Sequence, residues 1–361
     1  MPVESIRSSE FRGRGATRNR TPTRFNLKER AEDGDWLDSV EAIDGIARRR
    51  TTVTIEHPKS ILTRNASPDI GFDRSVNPYR GCEHGCIYCF ARPTHAYHDL
   101  SPGVDFESRL FVKPNAAALL HQALSKPGYR CAPVALGTNT DPYQPIEERW
   151  KITRSVIELL LECKHPFTIT TKSDRVLRDL DLLKPAAALG IASVALSVTS
   201  LEPRISRILE PRAPAGRKRI EAIRRLNAEG VPCYVAIAPV IPQITDHEME
   251  SIVEAAVAAG ARGGFFLPVR LPNEVAPLFR DWLKEHFPER AEKVMSVIRQ
   301  MRGGRDNDPN FFSRMRGVGP WADLLKTRFE IAVKKHGLRQ ARFALRRDLF
   351  EPPQGDQLRL L

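Results

Sequence analysis

Three cysteines lie close together in the chain and are its clearest chemical signal. Cys82, Cys86 and Cys89 fall within eight residues, spaced C-x3-C-x2-C, in a protein that has six cysteines among 361 residues. Chance clustering is a poor explanation for residues of such low abundance. Thiolates are the ligands of structural zinc and of iron–sulfur clusters. The spacing therefore predicts a metal centre on this short segment.

Zinc and an iron–sulfur cluster are the two candidates for that centre. A zinc ion would take its fourth ligand from His84, His95 or His98. Structural zinc sites usually combine two Cys pairs, and the sequence has no second pair. Three thiolates on one tight loop instead fit three irons of a [4Fe–4S] cube, which leaves the fourth iron open to a small molecule. The sequence favours the cluster, with zinc as the alternative.

Short apolar runs alternate with helical patterns from about residue 73 onward, and these elements must position the cysteines. The predicted strands are residues 74–79, 131–137, 167–171, 191–198, 231–237 and 264–267. The predicted helices are residues 150–163, 176–188, 217–229, 245–260, 277–286 and 321–336, with Thr245 and Glu248 spaced as a capping box. Such alternation is typical of parallel strands joined by crossover helices. The fold class is therefore α/β, either an open doubly wound sheet or a closed or partial barrel.

The two ends of the chain differ in composition from this central region. Residues 1–50 pass from a basic to an acidic stretch without apolar periodicity, which predicts a flexible N-terminal arm. Residues 289–361 predict a helical C-terminal extension with a basic tail. The net charge of +12 favours a polyanionic partner such as nucleic acid, although solvated basic faces would give the same total.

Composition excludes several classes of protein. A hydrophobic content of 41% excludes a disordered chain. No apolar run approaches the roughly 18 residues of a membrane helix, and the N-terminus lacks the apolar core of about 7–15 residues of a signal peptide. We therefore expect a cytoplasmic protein with reduced thiols and no membrane partner. Cys131, Cys163 and Cys233 are then predicted to be core residues.

The wider sequence resembles the radical S-adenosylmethionine (SAM) superfamily. The C-x3-C-x2-C motif with Tyr88 directly before the third cysteine is the signature of those enzymes. Residues 77–82 and 84–89 are similar to a branch related to spore photoproduct lyase, as are residues 137–147, 170–173, 197–201 and 210–214. The resemblance covers roughly residues 70–285.

This resemblance implies a fold and a chemistry. The fold would be a partial (β/α)6 TIM-like barrel over residues 70–288, with the cysteines on the loop after the first strand, at the C-terminal rim. Cys82, Cys86 and Cys89 would hold a [4Fe–4S] cluster whose open iron SAM chelates. An electron donor such as a flavodoxin or ferredoxin would then allow SAM to be split into a 5′-deoxyadenosyl radical, which abstracts hydrogen from a substrate. Nucleic acid is a candidate for that substrate.

The resemblance also implies which residues contact SAM. Lys172, at a strand end, suits the SAM carboxylate, and Ser197 and Thr199 suit the carboxylate or the ribose. The other expected contacts are Asn139, Asp141 and Tyr143 near the methionine amino group, Tyr88 beside the adenine, and Glu210 at the ribose or paired with Arg212. Turn formation or loop packing is the ordinary structural role of several of these residue types.

One segment departs from the spore photoproduct lyase pattern. In that enzyme a cysteine just before the corresponding turn donates a hydrogen atom to the product radical, whereas residues 136–141 contain no thiol here. Repair of a thymine dimer is therefore not implied by the resemblance. The contrasting hypothesis is a non-catalytic zinc- or Fe–S-binding module for nucleic acid.

Overall fold

The computed structural model describes residues 13–19, 50–338 and 344–353. Its strands are β1 (Thr52–Ile55), β2 (Leu62–Arg64), β3 (Arg74–Val76), β4 (Tyr79–Arg80), β5 (Arg109–Val112), β6 (Val134–Leu136), β7 (Phe167–Thr171), β8 (Ala192–Ser197), β9 (Cys233–Val240) and β10 (Gly263–Pro268). Its α-helices are α1 (Asp105–Ser108), α2 (Ala116–Leu124), α3 (Glu147–Trp150), α4 (Ile152–Glu162), α5 (Leu180–Ala188), α6 (Pro203–Leu209), α7 (Gly216–Ala228), α8 (Met249–Ala258), α9 (Val275–His286), α10 (Ala291–Met301), α11 (Ser313–Arg316) and α12 (Pro320–His336).

A seven-stranded sheet forms the centre of the molecule. Its order is β10-β9-β8-β7-β6-β3-β2, so the parallel strands follow one another in chain order. β3, β6, β7, β8, β9 and β10 are all parallel to their neighbours, whereas β2 pairs antiparallel with β3 at the edge. Chain-order parallel strands with helices between them are the arrangement of a partial (β/α)6 barrel. The predicted fold class is therefore confirmed, with β2 as an addition that the apolar pattern did not predict.

A second, three-stranded sheet supports the cysteine segment. In it β5 pairs parallel with β1 and antiparallel with the short β4, which leads directly into the cysteines. We call residues 81–90 the Cys loop. The first parallel strand of the barrel, β3, lies only two residues before β4, so the Cys loop follows the first barrel strand as expected.

Two large hydrophobic clusters fill the interior, and a third, small one packs Cys82 against Ala91 and Phe106. The largest cluster lies between the sheet and its helices and includes Cys163 and Cys233, which confirms their prediction as core residues, whereas Cys131 is half-buried. The second large cluster joins Cys86, Ile87 and Tyr88 to side chains of α6, α9 and α10. The Cys loop is therefore packed on the helices at the rim of the barrel rather than on the main core.

Three local expectations differ from the structure. The helix predicted over residues 176–188 begins as a 3-10 helix, Asp174–Asp179, before α5. The capping box is wrong: the Thr245 hydroxyl accepts a hydrogen bond from the Ile241 amide (2.9 Å), and Glu248 accepts from the Leu201 amide (2.7 Å). The individual helices predicted from the sequence also do not include α10, which is strongly amphipathic and lies within the extension predicted over residues 289–361.

The ends of the chain are described only in part. Of the N-terminal arm, residues 13–19 and Arg50 are placed, and the remainder lies outside the described residues, as do residues 339–343 and 354–361 of the basic tail. The helix predicted at 321–336 is α12. Among the described residues, none of the helices combines the length and apolar character needed to cross a membrane.

Candidate cofactor site

The Cys loop is shaped by its backbone. The Cys82 amide donates a hydrogen bond to the Phe106 carbonyl (2.9 Å), and the Cys89 amide donates to the Cys86 carbonyl (3.2 Å). Gly81 has φ +72°, and a Cβ there would lie 2.8 Å from the Phe106 oxygen. A side chain at position 81 would be strained by its φ and would also collide with the support of the loop. Because Gly81 has no Cβ, the main chain at this position can lie close to Phe106, and this contact fixes the position of Cys82.

A buried ion pair, Arg92 with Glu107, lies beneath the Cys loop, and we call it the loop pair. Both side chains are fully buried, and their charged atoms are 2.5 Å apart. The remaining donors of Arg92 bind main-chain carbonyls, including those of Cys86 (2.9 Å) and Gly85 (3.1 Å). Because a buried charge is stable only when it is paired and hydrogen-bonded, the loop pair ties the main chain of the Cys loop to one geometry.

Residues 13–19 pack over this pair and form what we call the strap. The amides of Gly15 and Ala16 donate to the two carboxylate oxygens of Glu107, each at 2.8 Å. A Cβ on Gly15 would lie 1.7 Å from the Gly85 oxygen, and Ala16 is only 1% exposed. The strap thus differs from the flexible arm predicted for this stretch, because Gly15 allows the main chain to approach the Cys loop closely.

The three thiols of the Cys loop are free and surrounded by protein. Cys82 and Cys86 are buried and Cys89 is half-buried. Burial raises the pKa of each thiol, in Cys86 to about 12, and in Cys82 the neighbouring Asp141, Cys86 and Cys89 raise the pKa further. Lys172 opposes this rise in Cys86 and Cys89, which places its ammonium group near both. Thiols of this kind ionise when a metal supplies positive charge, so the donor set fits an iron–sulfur cluster.

The zinc alternative finds less support in the geometry. A zinc ion needs all of its donors within about 2.0–2.3 Å of one point. Within the described part of the chain, no three His, Cys, Asp or Glu side chains come close enough to share one ion. The His84 ring lies 3.3 Å from Asp141, and the His95 ring nitrogen lies 2.8 Å from the Arg109 carbonyl. A cubic cluster takes each thiolate on a different iron and so does not require the sulfurs to meet at one point.

A second buried ion pair, Arg219 with Glu210, lies on the other side of the thiols, and we call it the SAM-side pair. Glu210 accepts hydrogen bonds from the hydroxyls of Tyr88 and of Thr199 (2.7 Å). Burial alone would raise the pKa of Glu210, but Arg219 and Lys172 lower it to about 2. The expected alternative pairing with Arg212 is wrong, because Glu210 is engaged by Arg219.

Lys172 connects the SAM-side pair to a second carboxylate, Asp141. Its Nζ donates to the Ser197 hydroxyl (3.0 Å) and lies 5.8 Å from the centre of the Tyr88 ring. Its backbone amide donates to Asp141 (2.7 Å), which also accepts from the Thr171 hydroxyl (2.6 Å). Burial would raise the pKa of Asp141, but the adjacent His84 and these donors lower it to about 2. The strand end that carries Lys172 is thereby held against the Cys loop.

The structure thus brings most of the predicted SAM-contacting residues into one network. Its members are Tyr88, Asp141, Lys172, Ser197, Thr199 and Glu210. Asn139 and Tyr143 lie at its margin: the Asn139 amide donates to Asn77 (3.0 Å), and the Tyr143 hydroxyl donates to Asp179 (3.0 Å).

Sequence reasoning missed Arg92, Glu107 and Arg219, and it considered His84 only as a zinc ligand. Arg219 belongs to the basic surplus that the sequence assigns to a polyanionic partner or to solvated faces, yet its side chain is fully buried. It lies on the same side of α7 as the buried Ile220, Ile223 and Leu226, so the helical period alone could have placed it inward. Arg92 and Glu107 carry no such signal, because they lie in short irregular elements.

Comparisons with known proteins indicate the same superfamily as the cysteine motif. A model of the Radical SAM superfamily matches residues 76–256. An uncharacterized protein of Mycobacterium tuberculosis is 39% identical over 231 residues, which are 63% of this chain and 68% of that protein. A radical SAM Nα-GlyT isomerase of Pseudomonas phage M6 is 24% identical over 232 residues, covering 63% of this chain and 46% of that protein.

The overall fold is similar to solved structures of spore photoproduct lyase. One mutant of that enzyme superposes with a TM-score of 0.56 at 13% identity, covering 82% of this chain and 85% of that chain. The enzyme complexed with dinucleoside spore photoproduct superposes with a TM-score of 0.53 at 14% identity, covering 79% of each chain. At this identity the likeness establishes the fold alone.

Proposed function

The chain belongs to the radical SAM superfamily, and from that premise we propose that Cys82, Cys86 and Cys89 hold its [4Fe–4S] cluster beside a bound SAM. Members of this superfamily are enzymes that use a [4Fe–4S] cluster and SAM and need an electron donor. One observation carries the proposal: three free thiols, two of them buried and one half-buried, lie together on one loop at the barrel rim. When bound, the reduced cluster supplies the electron that cleaves SAM to the 5′-deoxyadenosyl radical.

The residues of this chain would bind and orient SAM. Lys172 presents its ammonium group for the SAM carboxylate, with Ser197 holding that group in place. Tyr88 would flank the adenine, its hydroxyl being fixed by Glu210 and Thr199. Burial of these groups also excludes water from a reactive radical.

In this proposal Asp141 positions Lys172 and does not contact the SAM amino group, whereas the resemblance implies that contact. An ionised carboxylate offers about four lone-pair positions. The groups around its two oxygens are the Thr171 hydroxyl, the Tyr143 and Lys172 amides and the His84 ring. Three of these positions are taken by hydrogen bonds. We therefore infer that Asp141 is a positioning residue for Lys172, and that Asn139 is left as the contact for the SAM amino group.

The reaction we propose is hydrogen abstraction from a nucleic acid or a related nucleotide, in a lyase-like process. The net charge of +12 supports a polyanionic substrate. The likeness to spore photoproduct lyase, solved with a dinucleoside, also supports it. Residues 136–141 lack a thiol, and Cys163 and Cys233 lie in the main core, so the proposal does not include the cysteine-dependent repair step. A small flavodoxin or ferredoxin would suit as the electron donor.

Reconstitution tests the proposal directly. Anaerobically reconstituted protein should be brown, with about four irons per chain, and should release 5′-deoxyadenosine when given dithionite and SAM. Cys86→Ala should lose the colour, because one of three ligands is removed, while circular dichroism stays that of the folded protein. Cys131→Ala, which changes a half-buried thiol outside the Cys loop, should keep both colour and product.

Two outcomes would contradict the proposal. Colourless, zinc-loaded protein that folds normally and yields no nucleoside would instead support the non-catalytic nucleic-acid module. A full cluster in Cys86→Ala would show that the ligand assignment is wrong.

A further inference from the structure

Arg270 lies at the C-terminal end of the last barrel strand, on the side of the Cys loop. It follows β10 by two residues, and its guanidinium carbon is 6.0 Å from the centre of the Phe90 ring. Phe90 directly follows Cys89 and is 51% exposed. A cation over an aromatic face within about 6 Å is an attractive contact. Arg270 therefore stands between the proposed cluster ligands and solvent.

This arginine lacks a counter-ion in the part of the chain that the structure describes. Among the residues that the structure describes, no carboxylate forms an ion pair with Arg270. Its Nη1 approaches only the Met315 sulfur (3.3 Å), a weak acceptor, and its Nε is buried without a hydrogen-bond partner. Burial lowers the pKa of Arg270. A half-buried cation left in this state is costly, and an arriving anion would remove that cost.

The charged side chains near Arg270 do not form an ion pair with it in the described part of the chain. The nearby acids are Asp69 and Asp308, and the nearby cations are Arg314 and Arg302. Asp69 is taken by Arg314 in a two-oxygen contact of 2.7 and 2.8 Å. Asp308 accepts from the Asn310 amide (2.9 Å) and is influenced by Arg302. Asp69 is thus paired with Arg314, and within the described part of the chain neither acid forms an ion pair with Arg270.

The same region presents aromatic faces next to Arg270. The segment from Phe311 to Met315 reaches from the β10 side to Asp69, beyond β2 at the opposite edge of the sheet, and so crosses the open side of the barrel. Phe311 is 53% exposed, with Arg314 stacked 4.7 Å from its ring centre. Exposed aromatic rings with interleaved arginines are what single-stranded nucleic acids bind, by base stacking and phosphate contact.

We propose that Arg270 binds a phosphate group of the substrate and that Phe90 and Phe311 stack on the adjoining base. The ligand is a nucleotide, either within a single-stranded nucleic acid or free. This inference deepens the proposed function and rests on it for the position of the reacting group, but binding itself requires no turnover. Arg270 is then the residue that selects a phosphorylated, base-bearing substrate over a neutral one.

Binding of a labelled oligonucleotide tests the role of Arg270. Fluorescence anisotropy would be measured on the full-length reconstituted protein with a fluorescein-labelled single-stranded oligodeoxynucleotide, over a series of salt concentrations. Arg270→Gln should weaken binding by about tenfold or more and reduce the slope of log K against log salt by about 0.7. Arg270→Lys, which keeps the charge but not the planar fork, should retain the slope.

Arg346→Gln is the matched control. It removes the same unit of charge at the opposite end of the sheet, where the Arg346 amide bonds Gly190 just before β8. It should leave the affinity and the slope unchanged. Phe311→Leu should weaken binding by about tenfold with the slope unchanged, because stacking carries no counterion release.

The remaining measurements distinguish a free nucleotide from a nucleic acid as the ligand. Unlabelled adenosine monophosphate that displaces the oligonucleotide at equal affinity would identify a free nucleotide; a much weaker displacement would identify nucleic acid. Heparin that binds with the same Arg270 dependence would overturn the nucleotide assignment, as would an unchanged affinity and slope for Arg270→Gln. If the enzyme is active but Arg270→Gln leaves affinity and slope unchanged, this inference alone is wrong. If wild-type protein binds the probe but never cleaves SAM, only the proposed function is wrong.

Discussion

Two buried arginine–carboxylate pairs flank the cysteines, and they differ in what surrounds them. In the loop pair, the remaining hydrogen bonds of Arg92 and Glu107 go to main-chain groups of the Cys loop, of the strap and of residues 102–103. In the SAM-side pair, Glu210 also accepts from the side chains of Tyr88 and Thr199. Both arginines bind main-chain carbonyls, so the pairs differ in their carboxylates: Glu107 accepts from main-chain amides, whereas Glu210 accepts from side-chain hydroxyls.

This difference indicates a division of labour. Main-chain partners fix the path of the Cys loop and hence the positions of the three thiols. Side-chain partners fix the direction of a phenol and a hydroxyl, which are the groups that would face a small molecule. The loop pair should therefore govern the assembly of the cluster, and the SAM-side pair should govern the affinity for SAM.

The largest expected effect is that of Glu107→Gln. The substitution leaves the Arg92 charge buried without its partner, so the free energy of unfolding should fall by about 3–5 kcal/mol, and iron per chain should fall with it. Urea denaturation and iron analysis of anaerobic protein measure the two quantities. Glu250→Gln, which breaks a half-exposed pair with Arg328, is the control and should cost about 0–1 kcal/mol. A normal iron content in a destabilised Glu107→Gln would break the assignment of the loop pair to the cluster.

A smaller effect on assembly is expected for Glu210→Gln. The free energy of unfolding should fall by about 3 kcal/mol, the lower end of the range for a broken buried pair, because Tyr88 and Thr199 can still donate to the amide oxygen. Iron per chain should stay normal, and KM for SAM should rise. The comparison with Glu107→Gln is decisive: if both variants lose iron equally, the two pairs share one role.

The smallest effect on stability is expected for Lys172→Met. Its Nζ donates only to the Ser197 hydroxyl in the described structure, so folding and iron content should be little changed. Loss of a charge-assisted contact should raise KM for SAM by about ten- to a hundredfold, with a smaller change in kcat. Lys184→Met, at a surface pair with Glu229, should change neither constant. A lower kcat at constant KM would assign Lys172 to the chemical step instead.

Much of the fold could be predicted from the sequence because strands and helices follow local patterns of apolar residues. The strand predicted at 167–171 is β7 itself, and the others overlap their strands with shifted ends. The edge strand β2 and the three-stranded sheet were not predicted, because short exposed or two-residue strands have no apolar period. The residues drawn from the resemblance mostly meet in one network, since parallel strands end at the same rim.

The sequence could not predict which charged side chains are buried or which residues they pair with. Arg219 and Arg270 are equally basic in the sequence, yet one is paired with Glu210 and the other has no carboxylate partner among the described residues. The strap joins residues about 90 positions apart through the two oxygens of Glu107. Such contacts depend on side-chain packing between distant segments, which no local period records.

The sequence by itself determined the donor atoms and the scaffold. The spacing of Cys82, Cys86 and Cys89 confines three thiols to one loop, and the strand–helix alternation commits the chain to a parallel sheet. Only the tertiary structure decided that those thiols lie near two buried ion pairs and that Arg270, beside Phe90, has no counter-ion among the described residues. The physical reason is that residue type fixes what a group can donate, whereas burial and partners fix whether its charge is satisfied or left for a ligand.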